Sequence, residues 1–156
     1  MIRKFSSVVI ALSVAGCIGM PGPELGSPEY KFASQNFSPA IDAEFVFPAQ
    51  WYPNTAIGTN ASLYSPYHDG YLFLNKSIGY FAIYDKNNNR YYSTFKFNKL
   101  DIKQTRAEQF GLARFYNIEL SDSIHSFNVK PGISASGKQI GRDEIFKQLD
   151  EWVSKK

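Results

Sequence analysis

The sequence predicts a mainly β domain of the α+β class, in which about seven short antiparallel strands form a small barrel or curled sheet closed by one C-terminal amphipathic helix. Two observations lead to this fold class. Apolar and polar residues alternate with the period of a strand from about residue 30 onward, and only the C-terminal segment changes to a helical period. Aromatic residues make up 16% of the chain and charged residues only 20%, which is enough apolar material for one packed domain.

Short apolar segments bounded by turn residues mark the predicted strands. Asp85 and the asparagines that follow it form the clearest turn, because Asn and Asp tolerate positive φ and bond to nearby backbone, and they predict a hairpin. A proline-rich stretch of loop character follows the first strand. The candidate segments, which we count as about seven strands, are residues 42–47, 61–64, 70–74, 78–84, 91–97, 100–105, 112–120 and 124–129.

The C-terminal helix is predicted from an apolar stripe. Its members recur at helical spacing, and they are Ile145, Phe146, Leu149, Trp152 and Val153. Asp143 and Glu144 precede the stripe and Lys155 and Lys156 follow it, so both ends carry the charge that complements a helix dipole. We expect this helix to be part of the core.

Residues 1–16 have the features of a signal peptide. Arg3 and Lys4 precede an apolar run of about eleven residues, far below the roughly 20 that span a bilayer. The run ends in Val14-Ala15-Gly16-Cys17, which resembles the lipobox of bacterial lipoproteins. The resemblance implies that residues 1–16 are removed and that Cys17 is acylated. The alternative is an ordinary secretory signal that is cleaved elsewhere and leaves a free thiol.

The lipobox resemblance implies a lipoprotein of the bacterial cell envelope, anchored by fatty acyl chains such as palmitate, because two or three chains hold a protein stably to a membrane. Ile18 stands where Asp would direct inner-membrane retention, so we expect the outer membrane, on its periplasmic or surface face, if the source is Gram-negative. Residues 17–29 are rich in Pro and Gly and predict a flexible tether, and residues 30–156 predict one globular domain.

The order of the later segments resembles that of PH-like domains, in particular the GRAM and bacterial PH members. The resemblance covers about residues 61–154 and includes Gly70-Tyr71-Leu72-Phe73-Leu74, a later Asp101-Ile102, a hairpin and the C-terminal helix. It implies a small barrel whose open end is plugged by the helix through Trp152. A generic α+β sheet with a helix across one face is the alternative.

Few residues could carry chemistry. His68 beside Asp69 suggests a hydrolase, but neighbours in sequence do not form a triad and the chain has no G-x-S-x-G motif. His125 lies on a predicted strand, far in sequence from His68, so no metal-binding spacing exists, and the single cysteine excludes a disulfide within the chain. We therefore expect no enzyme activity, no cofactor and no metal.

Charge and aromatic content indicate the kind of partner. Arg3 and Lys4 supply two units of the net charge of +3, so the chain without its leader is nearly neutral and is not expected to bind nucleic acid. No Lys or Arg occurs between Lys31 and Lys76, which argues against phosphoinositide binding. That window is rich in rings and prolines, which suit protein or glycan contact. The predicted partner-binding residues are Trp51, Tyr52, Tyr64, Tyr67 and His68.

The sequence thus predicts a membrane-tethered, non-enzymatic envelope lipoprotein whose domain binds or scaffolds another envelope protein. In one alternative the rings only cover one end of the barrel. A lipocalin-like carrier of small ligands is a second alternative, although short strands with bulky inner residues fill a small barrel. A hydrolase that uses His68 is a third.

Overall fold

The computed structural model describes residues 21–56, 66–110 and 113–155. The described chain is mainly antiparallel β-sheet with a helix at its C-terminal end. Its elements are α1 (Pro28–Gln35), α2 (Ser38–Ile41), β1 (Phe45–Tyr52), β2 (His68–Leu74), β3 (Ile78–Asp85), β4 (Arg90–Asn98), a 3₁₀ turn (Lys99–Asp101), β5 (Gln104–Phe110), β6 (Ala113–Glu119), β7 (Ile124–Val129), β8 (Gly132–Ser134), β9 (Gln139–Ile140) and α3 (Ile145–Ser154).

The strands form one sheet in the order β4-β3-β2-β1-β7-β6-β5, and β8 and β9 extend it from β1. Every pair is antiparallel. The sheet is not closed, since β4 and β5 end the order and no ladder between described residues joins them. The predicted class is therefore confirmed as a mainly antiparallel β-sheet with a C-terminal helix. The strands number about nine rather than seven, and the arrangement is consistent with a curled sheet.

β1 lies at the centre of the sheet although it contains Pro48. Its first residues, Phe45 and Val46, pair with β8, and the segment from Ala49 onward pairs with β7. Proline lacks the N–H that a strand ladder needs and is normally excluded from central strands. Pro48 lies where β1 changes partner, and its carbonyl still accepts a hydrogen bond from Lys130 N at 2.9 Å. The loop predicted after residue 47 is therefore wrong, because the strand runs on to Tyr52.

Two helices that the sequence analysis did not predict pack on the face of the sheet opposite the main core, which we call the outer face. Ser27 caps α1 by accepting a hydrogen bond from Tyr30 N at 3.1 Å, and Pro28 occupies the first helical turn. The strand period expected from residue 30 is therefore wrong at α1 and α2, which are too short to show a helical stripe. Part of the segment predicted as a tether contacts the sheet, since Tyr71 donates a hydrogen bond to the Pro23 carbonyl at 2.7 Å.

The remaining predicted elements agree with the structure to different degrees. The turn after Asp85 is confirmed, with the Asp85 carboxylate accepting from Asn87 N at 3.0 Å, and β7 has its predicted bounds. The strand expected at residues 100–105 is wrong, because the Asn98 side chain accepts from Leu100 N and starts a 3₁₀ turn. β5 then begins at Gln104. The strand predicted at residues 61–64 lies outside the described residues.

The predicted C-terminal helix is confirmed as α3, and it closes one end of the interior. Trp152 is 2% exposed, and its indole N–H donates to the Asn75 carbonyl at 2.5 Å. Tyr116 donates to Asp150 on the same helix at 2.7 Å. In the parts of the chain that the structure describes, no helix is long and apolar enough to cross a membrane.

Candidate partner-binding surface

Trp51, the largest of the predicted binding residues, lies in the core rather than on the surface. It is 8% exposed, and its indole stacks on Phe95 with ring centroids 4.8 Å apart. Phe81 lies 5.4 Å away on another side of the ring. The Trp51 side chain closes the end of the interior opposite α3, as the structural alternative for the ring-rich window expected.

His125 is buried beside Trp51, and its hydrogen bonds determine its tautomer. Its Nδ1 accepts from the Trp51 indole N–H at 3.2 Å and from Asn54 N at 3.5 Å. Because an indole nitrogen can only donate, Nδ1 carries no proton. The proton of the neutral ring is therefore on Nε2, which lies 3.1 Å from the Ser123 hydroxyl and donates to it.

This tautomer argues against base catalysis by His125. A general base must accept the proton of its nucleophile, as the histidine of a serine hydrolase does. Here Nε2 donates to Ser123, and burial lowers the pKa of the imidazole, with a smaller opposing effect from Asp122. The contact between His125 and Ser123 is partly buried, and the lowered pKa favours the neutral imidazole.

His68 and Asp69 do not form a catalytic pair, because adjacent residues of a strand project to opposite faces of the sheet. The His68 ring lies 5.4 Å from Trp51, towards the interior. The Asp69 carboxylate instead accepts from the Gln50 amide at 3.1 Å. The two side chains whose adjacency in sequence suggested a hydrolase therefore lie on opposite faces of the sheet.

The rings on the outer face beyond α1 and α2 form a small cluster. Tyr67 is 48% exposed, and its ring centroid lies 5.4 Å from that of Tyr52. Tyr52 in turn packs edge-on against Phe115 at 5.7 Å, and both of these rings are buried. Burial raises the pKa of the Tyr52 phenol. The cluster therefore presents one exposed tyrosine that rests on a fixed aromatic base.

A row of polar side chains crosses three strands beside these rings. Gln50 on β1 is 6% exposed, donates to Asp69 on β2 and accepts from the Asn128 amide on β7 at 3.0 Å. The register brings the three residues together, since Gln50 lies opposite both Asp69 and Asn128. We call these six residues the outer patch: Gln50, Tyr52, Tyr67, Asp69, Phe115 and Asn128. Sequence reasoning missed Gln50, Phe115 and Asn128, because only the strand register brings them beside the tyrosines.

A shallow cleft of about 140 Å³ adjoins the outer patch over β5, β6 and β7. Its lining includes Arg106, Asn117, Glu119 and Ile124. Pockets that enclose a small ligand usually measure about 300–1,000 Å³, so this cleft has room for about one side chain of a partner.

The remaining predicted positions and the comparisons give no further identification. Cys17 and Tyr64 lie outside the described residues. Within the described ranges, no three His, Cys, Asp or Glu side chains are grouped so that they could hold a metal ion. No protein-family model matches the chain, and a search of curated proteins finds no significant relative.

Proposed function

We propose that this protein is a lipid-tethered, non-enzymatic component of the bacterial cell envelope that binds a protein partner through its outer patch. The observation that carries the proposal is the Tyr67 ring, nearly half exposed and supported by Tyr52 and Phe115. Tyrosine is enriched at protein interfaces, because its ring offers apolar area and its hydroxyl a hydrogen bond. The support beneath Tyr67 reduces the conformational freedom that the ring would lose on binding.

The polar row adds specificity to this surface. Asp69 and Asn128 are both bonded to Gln50, so a partner meets a fixed pattern of donors and acceptors beside the ring. Lys130 lies close enough to Asp69 for the carboxylate to affect it; burial lowers the pKa of Lys130, and Asp69 opposes that effect. A surface of this kind suits a protein better than a phosphate-bearing headgroup or a nucleic acid.

The proposed body is a PH-like domain at the end of a tether. Support for this comes from the order of elements, in which seven long antiparallel strands precede an amphipathic helix that covers one end of the interior. The proposed anchor is the acylated Cys17, for which the support is the leader sequence that ends in Val14-Ala15-Gly16-Cys17.

The alternatives receive less support from the geometry. Bulky buried rings occupy the inner positions where a carrier would hold its ligand, among them Trp51, Phe81, Phe127 and Trp152. A hydrolase would need His68 or His125 as a base, but His68 is turned away from Asp69, and His125 already donates to Ser123.

The binding proposal predicts that Tyr67→Ala lowers recovery of a crosslinked envelope partner from native membranes by about tenfold or more, because a central ring contributes about 2 kcal/mol or more. Tyr92→Ala is the matched control, since Tyr92 is 46% exposed but lies on β4, away from the outer patch. Recovery should also change little between low and high salt. Equal losses for both variants, or no loss for either, would refute the outer patch as the interface.

The anchoring proposal is tested by the mass of the protein extracted from membranes. We expect the chain to begin at Cys17 and to carry the mass of its acyl chains. A Cys17→Ser variant serves as the control and should no longer partition into detergent. An unmodified thiol at Cys17 in a water-soluble product would refute the lipid anchor and leave the binding proposal standing.

A further inference from the structure

β5 is the last strand in the order of the described sheet. Among the described strands it pairs with β6 alone, in an unbroken register of seven residue pairs from Gln104 to Phe110. It is also one of the most exposed strands, with Arg106 and Ala107 both exposed. An exposed, regular edge strand is a template for another strand unless a bulge, proline or covering element blocks it.

β4, at the opposite edge, carries features that oppose strand addition. Its register with β3 shifts between Phe81 and Ala82, which is the mark of a bulge. α1 also contacts β4 along the outer face. β5 shows no such shift in its ladder with β6 and contains no proline. The two edges therefore differ, and β5 is the one suited to accept a strand.

The backbone groups that would accept this strand can be assigned from the ladder. Leu120 N donates to Ser123 O at 2.8 Å where β6 turns into β7. Because the backbone hydrogen bonds of an antiparallel strand alternate between its two neighbours, the even-numbered residues of β6 are bonded to β7 and the odd-numbered residues to β5. The partners of those odd positions are even positions of β5, as in the pairing of Arg106 with Asn117. Thr105 and Ala107 therefore direct their N–H and C=O groups towards the open edge.

We propose that the occupant of this edge is β5 of a second copy, antiparallel and related by a twofold axis through Ala107. In this register Arg106 of each copy lies opposite Glu108 of the other, so both cross-strand pairs join opposite charges. Within one copy the two side chains already form an ion pair at 3.7 Å on the same face. Ala107, which would meet its own copy at the axis, is small enough to avoid a clash. The sequence of the edge is thus complementary to itself, as a twofold interface requires.

The dimer formed by this edge is expected to be weak. One strand pair buries less surface than the roughly 1,200–2,000 Å² of a stable protein interface. Association should therefore become visible only at high protein concentration or when it is trapped covalently. This inference goes beyond the proposed partner site, because it concerns the backbone edge of β5 rather than the Tyr67 ring. Glu108 nevertheless lies opposite Phe115 of the outer patch in the β5–β6 ladder.

Disulfide trapping tests the register. Hydrogen-bonded antiparallel residues have Cα atoms about 5.5 Å apart, within the range that a disulfide bridges. The full chain in detergent with Ala107→Cys should form a covalent dimer under mild oxidation. Arg106→Cys alone should not, because residues two positions out of register lie about 7–8 Å apart. A mixture of Arg106→Cys and Glu108→Cys chains should form the mixed dimer, and the unsubstituted chain controls for crosslinking through Cys17.

Charge reversal tests the pairing without a crosslink. Arg106→Glu should weaken self-association about tenfold or more in sedimentation equilibrium. Each cross-strand pair between residue 106 and Glu108 then brings together two carboxylates, which repel each other. Adding Glu108→Arg should restore association to nearly its original strength. Unchanged melting temperatures would show that these surface variants remain folded. Two results would overturn the proposal. One is a yield of covalent dimer for Ala107→Cys that is no higher than for Arg106→Cys, and the other is self-association that does not change in Arg106→Glu.

Discussion

The interior of the curled sheet has two ends, each closed by a tryptophan, and the two ends are built differently. At one end Trp152 arrives on α3 and donates its N–H to the Asn75 carbonyl. At the other end Trp51 belongs to the central strand itself and donates to the His125 ring. A helix therefore closes the first end, and side chains from several strands close the second.

The two ends also differ in how they handle charge. At the α3 end Lys99 is buried, and its ammonium donates to the Lys155 carbonyl at 3.3 Å and lies 4.8 Å from the centre of the Trp152 ring. A cation at a helix C-terminus is stabilised by the helix dipole. At the Trp51 end the buried His125 is neutral, and burial lowers its pKa. Only the Trp51 end therefore depends on an imidazole that can gain a proton at mildly acidic pH.

The largest expected effect is at the α3 end. Trp152→Ala should lower the free energy of unfolding by about 3–5 kcal/mol, because it removes a fully buried ring and leaves the Asn75 carbonyl without its donor. Thermal denaturation should show a fall of roughly 10 °C or more. Leu100→Ala is the control, since Leu100 is 67% exposed and should change stability by less than about 0.5 kcal/mol. Equal stability of the two variants would mean that α3 does not close the core.

A smaller effect is expected from Trp51→Phe, which keeps a ring against Phe95 but removes the N–H that His125 accepts. A buried acceptor that loses a partner costs about 1–3 kcal/mol, here reduced because Asn54 N still lies 3.5 Å from Nδ1. Chemical denaturation of Trp51→Phe, His125→Gln and the double variant would measure the coupling. Strictly additive losses would show that the indole contact contributes nothing of its own.

The smallest effect is the pH dependence of the Trp51 end. The unfolded histidine titrates near 6.5 and the folded one below it, so the unfolded state binds more protons between the two values. The contribution of His125 to the free energy of unfolding is therefore full above about pH 6.5. It decreases as the pH falls below that value, by at most about 1.4 kcal/mol per pH unit. The charged and titratable neighbours are Asp122, which opposes the shift, and His68, whose ring also packs on Trp51.

Unfolding free energies measured from pH 7.5 to pH 5 would check this dependence. His125→Gln should flatten the profile, whereas His68→Gln should leave most of it unchanged. Identical slopes for the wild type and His125→Gln would assign the pH dependence to other groups.

Sequence reasoning succeeded for elements whose signal is local. The stripe that includes Trp152 identified α3, and the run after Asp85 identified a turn, because each pattern lies within a short stretch of the chain. It failed where a local signal conflicted with sheet context. Pro48 suggested a loop, but a change of pairing partner allows it inside β1.

The candidate surface was predicted only in part. The window rich in rings and poor in lysine contains both Tyr67, which is exposed, and Trp51, which is buried. Composition cannot separate the two, because a tyrosine or tryptophan serves equally well in a core and at an interface. The strand register made the distinction by directing Trp51 inward and Tyr52 outward.

By itself, then, the sequence determined the class of the fold and its C-terminal helix, since these follow from periods over short stretches, and the lipobox-like leader stays a prediction. Only the tertiary structure decided that Trp51 meets His125, 74 residues away, and that Gln50 joins Asp69 to Asn128. Such contacts depend on which strands become neighbours and in what register. A shift of one residue would reverse every inward and outward side chain, and only the packing of the whole sheet fixes that choice.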